Sequence, residues 1–188
     1  MADANRTEFL RRYGGIYEHS PWVAEQACEE AKGIKDPDRL AEIFAKHVDA
    51  AGHDKQLALI QAHPDLAGRA AVGARTTGDH PNDEFTEASQ EEQQSAGIDQ
   101  CTPEEYTRFQ DYNHRYKKKF GFPFIMAVRN SNRHEILKAF EQRLENDPAT
   151  EFTTAMQEIH KIASLRFHAV GARTAGDLPI ETAANRRS

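Results

Sequence analysis

The chain is poor in sulfur, in tryptophan and in long apolar runs, and each shortage removes a class of protein. Its two cysteines, Cys28 and Cys101, form no CxxC pair. That disfavours a zinc knuckle or a redox dithiol and leaves two ordinary thiols suited to a reducing compartment. No stretch approaches the roughly 20 apolar residues of a membrane-spanning helix. Residues 1–7 are polar, unlike a signal-peptide core, and the ending Asn185-Arg186-Arg187-Ser188 is not the serine-lysine-leucine peroxisomal address. The cytoplasm is therefore the expected location. A net charge of −6 leaves no general basic stripe, so neither nucleic acid nor membrane is expected as a partner. Apolar residues make up only 38% of the chain and the mean hydropathy is −0.77, so some segments should be exposed or loosely ordered. At 188 residues the chain can still bury one core without metal or disulfide staples.

What is present is a series of helix starts and stops. Phe9, Leu10 and Tyr13 give a partial stripe ended by Gly14-Gly15. Ser20-Pro21 offers a capping hydroxyl and a first-turn proline to a helix through Trp22, Val23 and Ala27, and Asp36-Pro37 offers the same to one carrying Leu40, Ile43, Phe44 and His47. Up to His63 no segment alternates with the period of two that marks a strand. Thr102-Pro103 opens a long helix with Tyr106, Phe109, Tyr112, Asn113 and Tyr116, ending in Lys117-Lys118-Lys119. Asn132 opens another, broken at Asn146-Asp147-Pro148, and a last long helix runs from about Thr150 through Arg166. The expected architecture is all-α, a single-domain multi-helix bundle over residues 1–168, with a loosely ordered tail at 169–188.

Four stretches carry candidate chemistry. In Gln61-Ala62-His63-Pro64, the histidine continues the Leu57 and Ile60 face toward the core, and Pro64 ends the helix there. The negative end of the helix dipole favours a protonated imidazole and apolar surroundings a neutral one, so a pKa near neutrality is expected. A core histidine with one hydrogen bond is the plainer reading. Thr86 should start a helix with almost nothing apolar, in which Ser89, Glu92, Gln93 and Ala96 share a face. Ser89-x-x-Glu92 could be only a capping box. However, a helix without an apolar stripe has little reason to pack unless its polar face covers something polar. The stretch Phe120-Gly121-Phe122-Pro123-Phe124-Ile125-Met126-Ala127-Val128 is the most apolar in the chain; its glycine and proline predict irregular backbone, either a buried connector or one with N–H groups free for a ligand. Finally, Arg166 sits where the stripe of Phe152, Ala155, Ile159 and Ile162 calls for an apolar residue. It must either snorkel to solvent or meet an anion, from this chain or from a substrate.

Residues 72–79 and 170–177 are near copies, Val-Gly-Ala-Arg-Thr at the core of each. One short repeated segment does not make a solenoid, and the glycine-lysine-serine/threonine ending of a phosphate loop is missing. Both copies are expected at the surface, the first as a flap beside the site and the second as a tail beyond the last helix.

Taken in order, His63-Pro64-Asp65-Leu66-Ala67-Gly68, Ser89-x-x-Glu92-Gln93 with Ala96-Gly97, Phe120-Gly121-Phe122-Pro123-Phe124 and Ile162-Ala163-Ser164-Leu165-Arg166 resemble the 2-oxo-4-hydroxy-4-carboxy-5-ureidoimidazoline (OHCU) decarboxylase family, as does the early Ser20-Pro21-Trp22-Val23. The resemblance implies an all-α homodimer that converts OHCU into (S)-allantoin in urate breakdown, with no cofactor and no metal. It also implies catalytic roles for His63 and Glu92. Substrate contacts would fall on Pro64, on Ser89, Gln90, Glu91, Glu92 and Gln93, on Phe124, Ile125, Met126, Ala127 and Val128, and on Arg166. A non-enzymatic helical domain that binds a ligand or protein partner is the alternative, but it gives no cause for Arg166 or for the apolar-free helix. A histidine-based metal hydrolase is a weaker rival, because the sequence has no HExxH.

Overall fold

The computed structural model describes residues 2–68 and 86–176. These form eight α-helices and one 3-10 turn, with no strand among the described residues: α1 Ala2–Tyr13, α2 Trp22–Ala27, α3 Pro37–Asp49, α4 His53–Gln61, α5 Glu87–Ser95, the turn Ile98–Gln100, α6 Pro103–Phe120, α7 Arg133–Arg143 and α8 Pro148–Gly176. The all-α expectation holds. Residues 72–79, read from sequence as a flap, lie outside the described residues.

Local chemistry explains most boundaries. Asp36 caps α3 through Asp38 N–H with Pro37 in the first turn. Thr102 with Glu105 and Asn132 with Glu135 form complete capping boxes on α6 and α7. Gly121 takes φ +80° to end α6 in the left-handed region, where a side chain would be strained. Two expectations need correction. The Ser20 hydroxyl does not cap α2; Pro21 is the cap residue with no side-chain bond, and Ser20 accepts only through its carbonyl, from Val23 N–H. The segment from Val170 is not a tail beyond the last helix. α8 continues through it to Gly176, with Val170 packed on the core, because no proline or capping signal interrupts the helix before that point.

α8 is the spine, lying most extensively on α3 and also on α4 and α6. Aromatic rings gather on two sides of it. Tyr13, Tyr17, Phe44 and Phe167 interlock between the first helices and α8, with Phe44 and Phe167 edge-on at 4.9 Å. Tyr116, Phe124 and Phe140 do the same between α6, the segment after it and α7, with Phe124 stacked on Phe140 at 3.8 Å. Each such pair adds about 0.5–1.5 kcal/mol beyond its buried area. Between the two groups the stripe of α8 carries Ile162 and Arg166 into a cleft.

Candidate active site

His63 follows the C-terminal turn of α4, where its N–H still reaches Ile60 O at 3.2 Å. Its Nδ1 lies 2.9 Å from Leu59 O. A carbonyl can only accept, so Nδ1 carries the proton and Nε2 keeps its lone pair. The residue is only 7% exposed, and burial pulls its pKa down to about 4, against the opposing pull of the nearby Glu18 carboxylate. The near-neutral value expected from sequence is therefore corrected: desolvation outweighs the helix end, and the imidazole is neutral at pH 7.

The loop beyond His63 is fixed from several directions. Pro64 supplies no N–H, and Ala67 is forced to φ +54°, a conformation an alanine adopts only when its surroundings impose it. Those surroundings are visible: Gln93 Oε1 accepts from Ala67 N–H at 3.0 Å, Gln110 donates to Ala67 O at 2.9 Å, and the buried Asn113 donates to Leu66 O at 2.8 Å. Lys117 closes the row on Asp65. Gln110, Asn113 and Lys117 lie at helical spacing on α6, so one face of that helix grips the loop that presents the histidine.

α5 answers the question its sequence posed. Thr86 is the true cap, accepting from Ser89 N–H, so Ser89 is inside the helix and is not the cap of a Ser89–Glu92 box. The polar face of Ser89, Glu92 and Gln93 covers Arg166. Glu92 takes the guanidinium in a two-pronged grip, Oε1 from Nε at 2.9 Å and Oε2 from Nη2 at 2.9 Å. Nη2 also donates to Ser89 Oγ at 3.2 Å, and Nη1 donates to Ile16 O at 3.2 Å and to Glu18 Oε2 at 2.8 Å. All five N–H bonds of the guanidinium thus have protein acceptors. Arg166 is buried, not snorkelling, and its anions are two carboxylates of this chain.

Glu18 is the residue that sequence reasoning missed. It is fully buried in the turn between α1 and α2, where its neighbour His19 takes φ +44°. One oxygen meets Arg166; the other accepts from Thr86 Oγ1 at 2.8 Å and Ser89 Oγ at 3.0 Å. Burial alone pushes its pKa up, but Arg166, His63 and the Thr86 hydroxyl together hold it below the ordinary carboxylate value. The available signal was indirect: an arginine on a core stripe demands an acid, and Glu18 stands two residues before the Ser20-Pro21-Trp22 start.

The segment after α6 forms the opposite wall. Arg143, partly buried and paired with the buried Glu151, donates to Ile125 O at 2.6 Å, and Gln61 donates to Gly121 O at 3.0 Å. Ala127 N–H goes to Glu158 at 2.8 Å, so it is not one of the free amides anticipated there. The N–H groups of Ile125, Met126 and Val128 meet no protein acceptor among the described residues.

The structure brings most of the sequence candidates to the walls of one small cleft. His63, Pro64, Ser89, Glu92 and Gln93 line it, as do Phe124, Ile125, Met126, Val128 and Arg166; Leu66 and Ile162 complete it. Gln90 and Glu91 do not. They are exposed, because at 100° per residue they fall off the face that Ser89, Glu92 and Gln93 share. Ala127 is likewise absent from the lining.

Residues 2–168 match the family model described as OHCU decarboxylase. The chain belongs to the OHCU decarboxylase family. A family member from Haloferax volcanii, named 2-oxo-4-hydroxy-4-carboxy-5-ureidoimidazoline decarboxylase, is 42% identical over 158 residues, covering 84% of this chain and 86% of that one. A crystal structure of (S)-allantoin synthase superposes with a TM-score of 0.66 at 32% identity, covering 88% of this chain; the present chain spans only half of that longer one. A crystal structure of OHCU decarboxylase in the presence of (S)-allantoin shares the fold, with a TM-score of 0.60 at 20% identity over 86% of this chain and 98% of that one. Among the described residues no group of three or more His, Cys, Asp or Glu side chains is placed to hold a metal ion, and no helix is long and apolar enough to cross a membrane.

Proposed function

We propose that this protein decarboxylates OHCU to (S)-allantoin in urate breakdown, as a carboxy-lyase that uses no cofactor. The observation that carries this reading is a neutral buried imidazole, with Nε2 available, sharing a small cleft with a carboxylate gripped by a buried arginine. The substrate needs no external electron sink. Its carboxylate sits on a carbon beside a ring C=N. As the C–CO2 bond breaks, its electron pair forms a carbon–carbon double bond and the imine pair moves to nitrogen. The hydroxyl-bearing carbon then becomes a carbonyl while its neighbour is protonated, so that one proton replaces the lost CO2. Delivering that proton to one face yields a single enantiomer.

His63 and Glu92 form the acid–base pair in this reading, His63 relaying the proton through Nε2 and Glu92 bonding the substrate's hydroxyl or ring N–H. The N–H groups of Ile125, Met126 and Val128 are placed to meet carbonyl oxygens. Arg166 contacts the substrate only by giving up a protein acceptor. The Ser89 hydroxyl and the Ile16 carbonyl are its two neutral and therefore weaker partners, so a substrate carboxylate replaces one of these and both glutamates stay in place. A homodimer in the cytoplasm, where Cys28 and Cys101 remain free thiols, completes the proposal.

The test is His63→Ala. Loss of one acid–base group lowers the rate by about 10²–10⁴, and the variant should keep its helical circular dichroism. A folded His63→Ala protein with undiminished turnover would sink the assignment.

A further inference from the structure

Glu18 has no part in the acid–base scheme above, yet it is fully buried directly behind the cleft, bonded to the lining residues Ser89 and Arg166. It joins three elements: its own turn, the start of α5 through Thr86 and Ser89, and α8 through Arg166. α5 has no apolar stripe to dock by, so these bonds and those of Glu92 set where Glu92 stands. Glu18 also acts electrostatically on His63.

The charges then matter. With His63 neutral, Glu18, Glu92 and Arg166 leave the cleft at net −1. Among the described residues, the other ionisable groups that face His63 are Arg166, already counted, and His19 on the turn beside Glu18, while α6 turns Lys117 onto Asp65. A substrate carboxylate raises the buried charge to −2, a state that a low-dielectric site resists. The reaction itself needs one proton from outside. A single event satisfies both.

We infer that Glu18 is a positioning residue for the decarboxylation: it fixes Arg166 and the start of α5, and its buried charge beside His63 makes His63 take up a proton when an anionic ligand enters the cleft. The inference rests on the OHCU reading and adds to it where the consumed proton comes from and which residue secures it. Without Glu18, Arg166 and Glu92 cancel, and a bound carboxylate brings the site only to −1, the charge at which His63 is neutral in the wild type.

The test measures proton uptake directly, by titration calorimetry at pH 6 in two buffers of different ionisation enthalpy. The probe is 2-oxoimidazolidine-4-carboxylate, a stable ring carboxylate, and neutral (S)-allantoin is the control. Wild-type protein should take up about half to one proton per carboxylate bound and close to none with allantoin. Glu18→Gln should lose most of that uptake, bind the carboxylate at least as well because one negative charge is gone, and turn OHCU over about 10–100-fold more slowly with KM unchanged or lower. Glu18→Asp, which keeps the charge, should recover uptake and part of kcat. No uptake by the wild type overturns the inference whatever the variants do, so the test survives a Glu18→Gln protein that fails to fold. Full uptake in a folded Glu18→Gln overturns it too, as does a rise in KM with uptake intact, which would make Glu18 merely structural. Because wild-type turnover of OHCU is read separately, loss of the inference leaves the decarboxylase reading standing, whereas no turnover removes both.

Discussion

Replacing Arg166 with methionine asks whether the guanidinium is the keystone that the structure makes it. Methionine keeps the stem and the apolar contacts but deletes all five N–H bonds. Glu18 is then left fully buried with hydroxyl partners alone among the described residues, and Glu92 loses the guanidinium it grips. Breaking a buried ion pair from one side is worth about 3–5 kcal/mol. For a chain of this length that is a fall in Tm of roughly 6–20 °C, at about 2–4 °C per kcal/mol. The pH dependence gives a sharper check. In the wild type the folded-state pKa of Glu18 is depressed, so its contribution is present above the unfolded carboxylate pKa and is lost as pH falls through the folded value. Without Arg166, burial dominates and the folded pKa rises. The charged carboxylate then destabilises at neutral pH, and acidification relieves it. Thermal melts at pH 7 and pH 5.5 should show the variant closing part of its gap to the wild type at the lower pH. A variant within about 1 kcal/mol of the wild type, or one whose deficit is the same at both pH values, would refute the reasoning.

Glu92→Gln should lower kcat by about 10²–10⁴ and also lower Tm, because the residue both lines the cleft and grips Arg166; a lower Tm with kcat intact would reduce Glu92 to a structural partner. Asn113→Leu removes the bond to Leu66 O and should destabilise by about 1–3 kcal/mol in urea titrations while lowering kcat, since the loop behind His63 loses a tether. Unchanged stability and turnover would mean that the remaining bonds from Gln93 and Gln110 suffice.

Much of this was legible before any coordinates. Helix starts at Asp36-Pro37, Thr102-Pro103 and Asn132 were readable because capping is local chemistry, decided within four residues. His63, Glu92 and Arg166 stood out because each breaks a local rule, and the two oddest features, an apolar-free helix and an arginine on a core stripe, prove to be partners of each other. Glu18 could not be found the same way. Arg166 announced that an acid was needed, but the chain has 30 acidic residues, and only the packing of the α1–α2 turn against α8 selects one. The pKa of His63 departs from its sequence expectation for a related reason, since the degree of desolvation belongs to the tertiary structure. Gln90 and Glu91 follow from treating a matched block as a unit when the helix turns these two adjacent residues away from the face of Ser89, Glu92 and Gln93.

The central claim is a reaction, and the most direct measurement is of that reaction. Freshly generated OHCU should be supplied to the purified protein and followed by its absorbance decay and by the optical activity of the allantoin formed. The account predicts decay faster than the spontaneous rate, in proportion to protein added, with (S)-allantoin as the single enantiomer. Racemic allantoin formed at the spontaneous rate would contradict it.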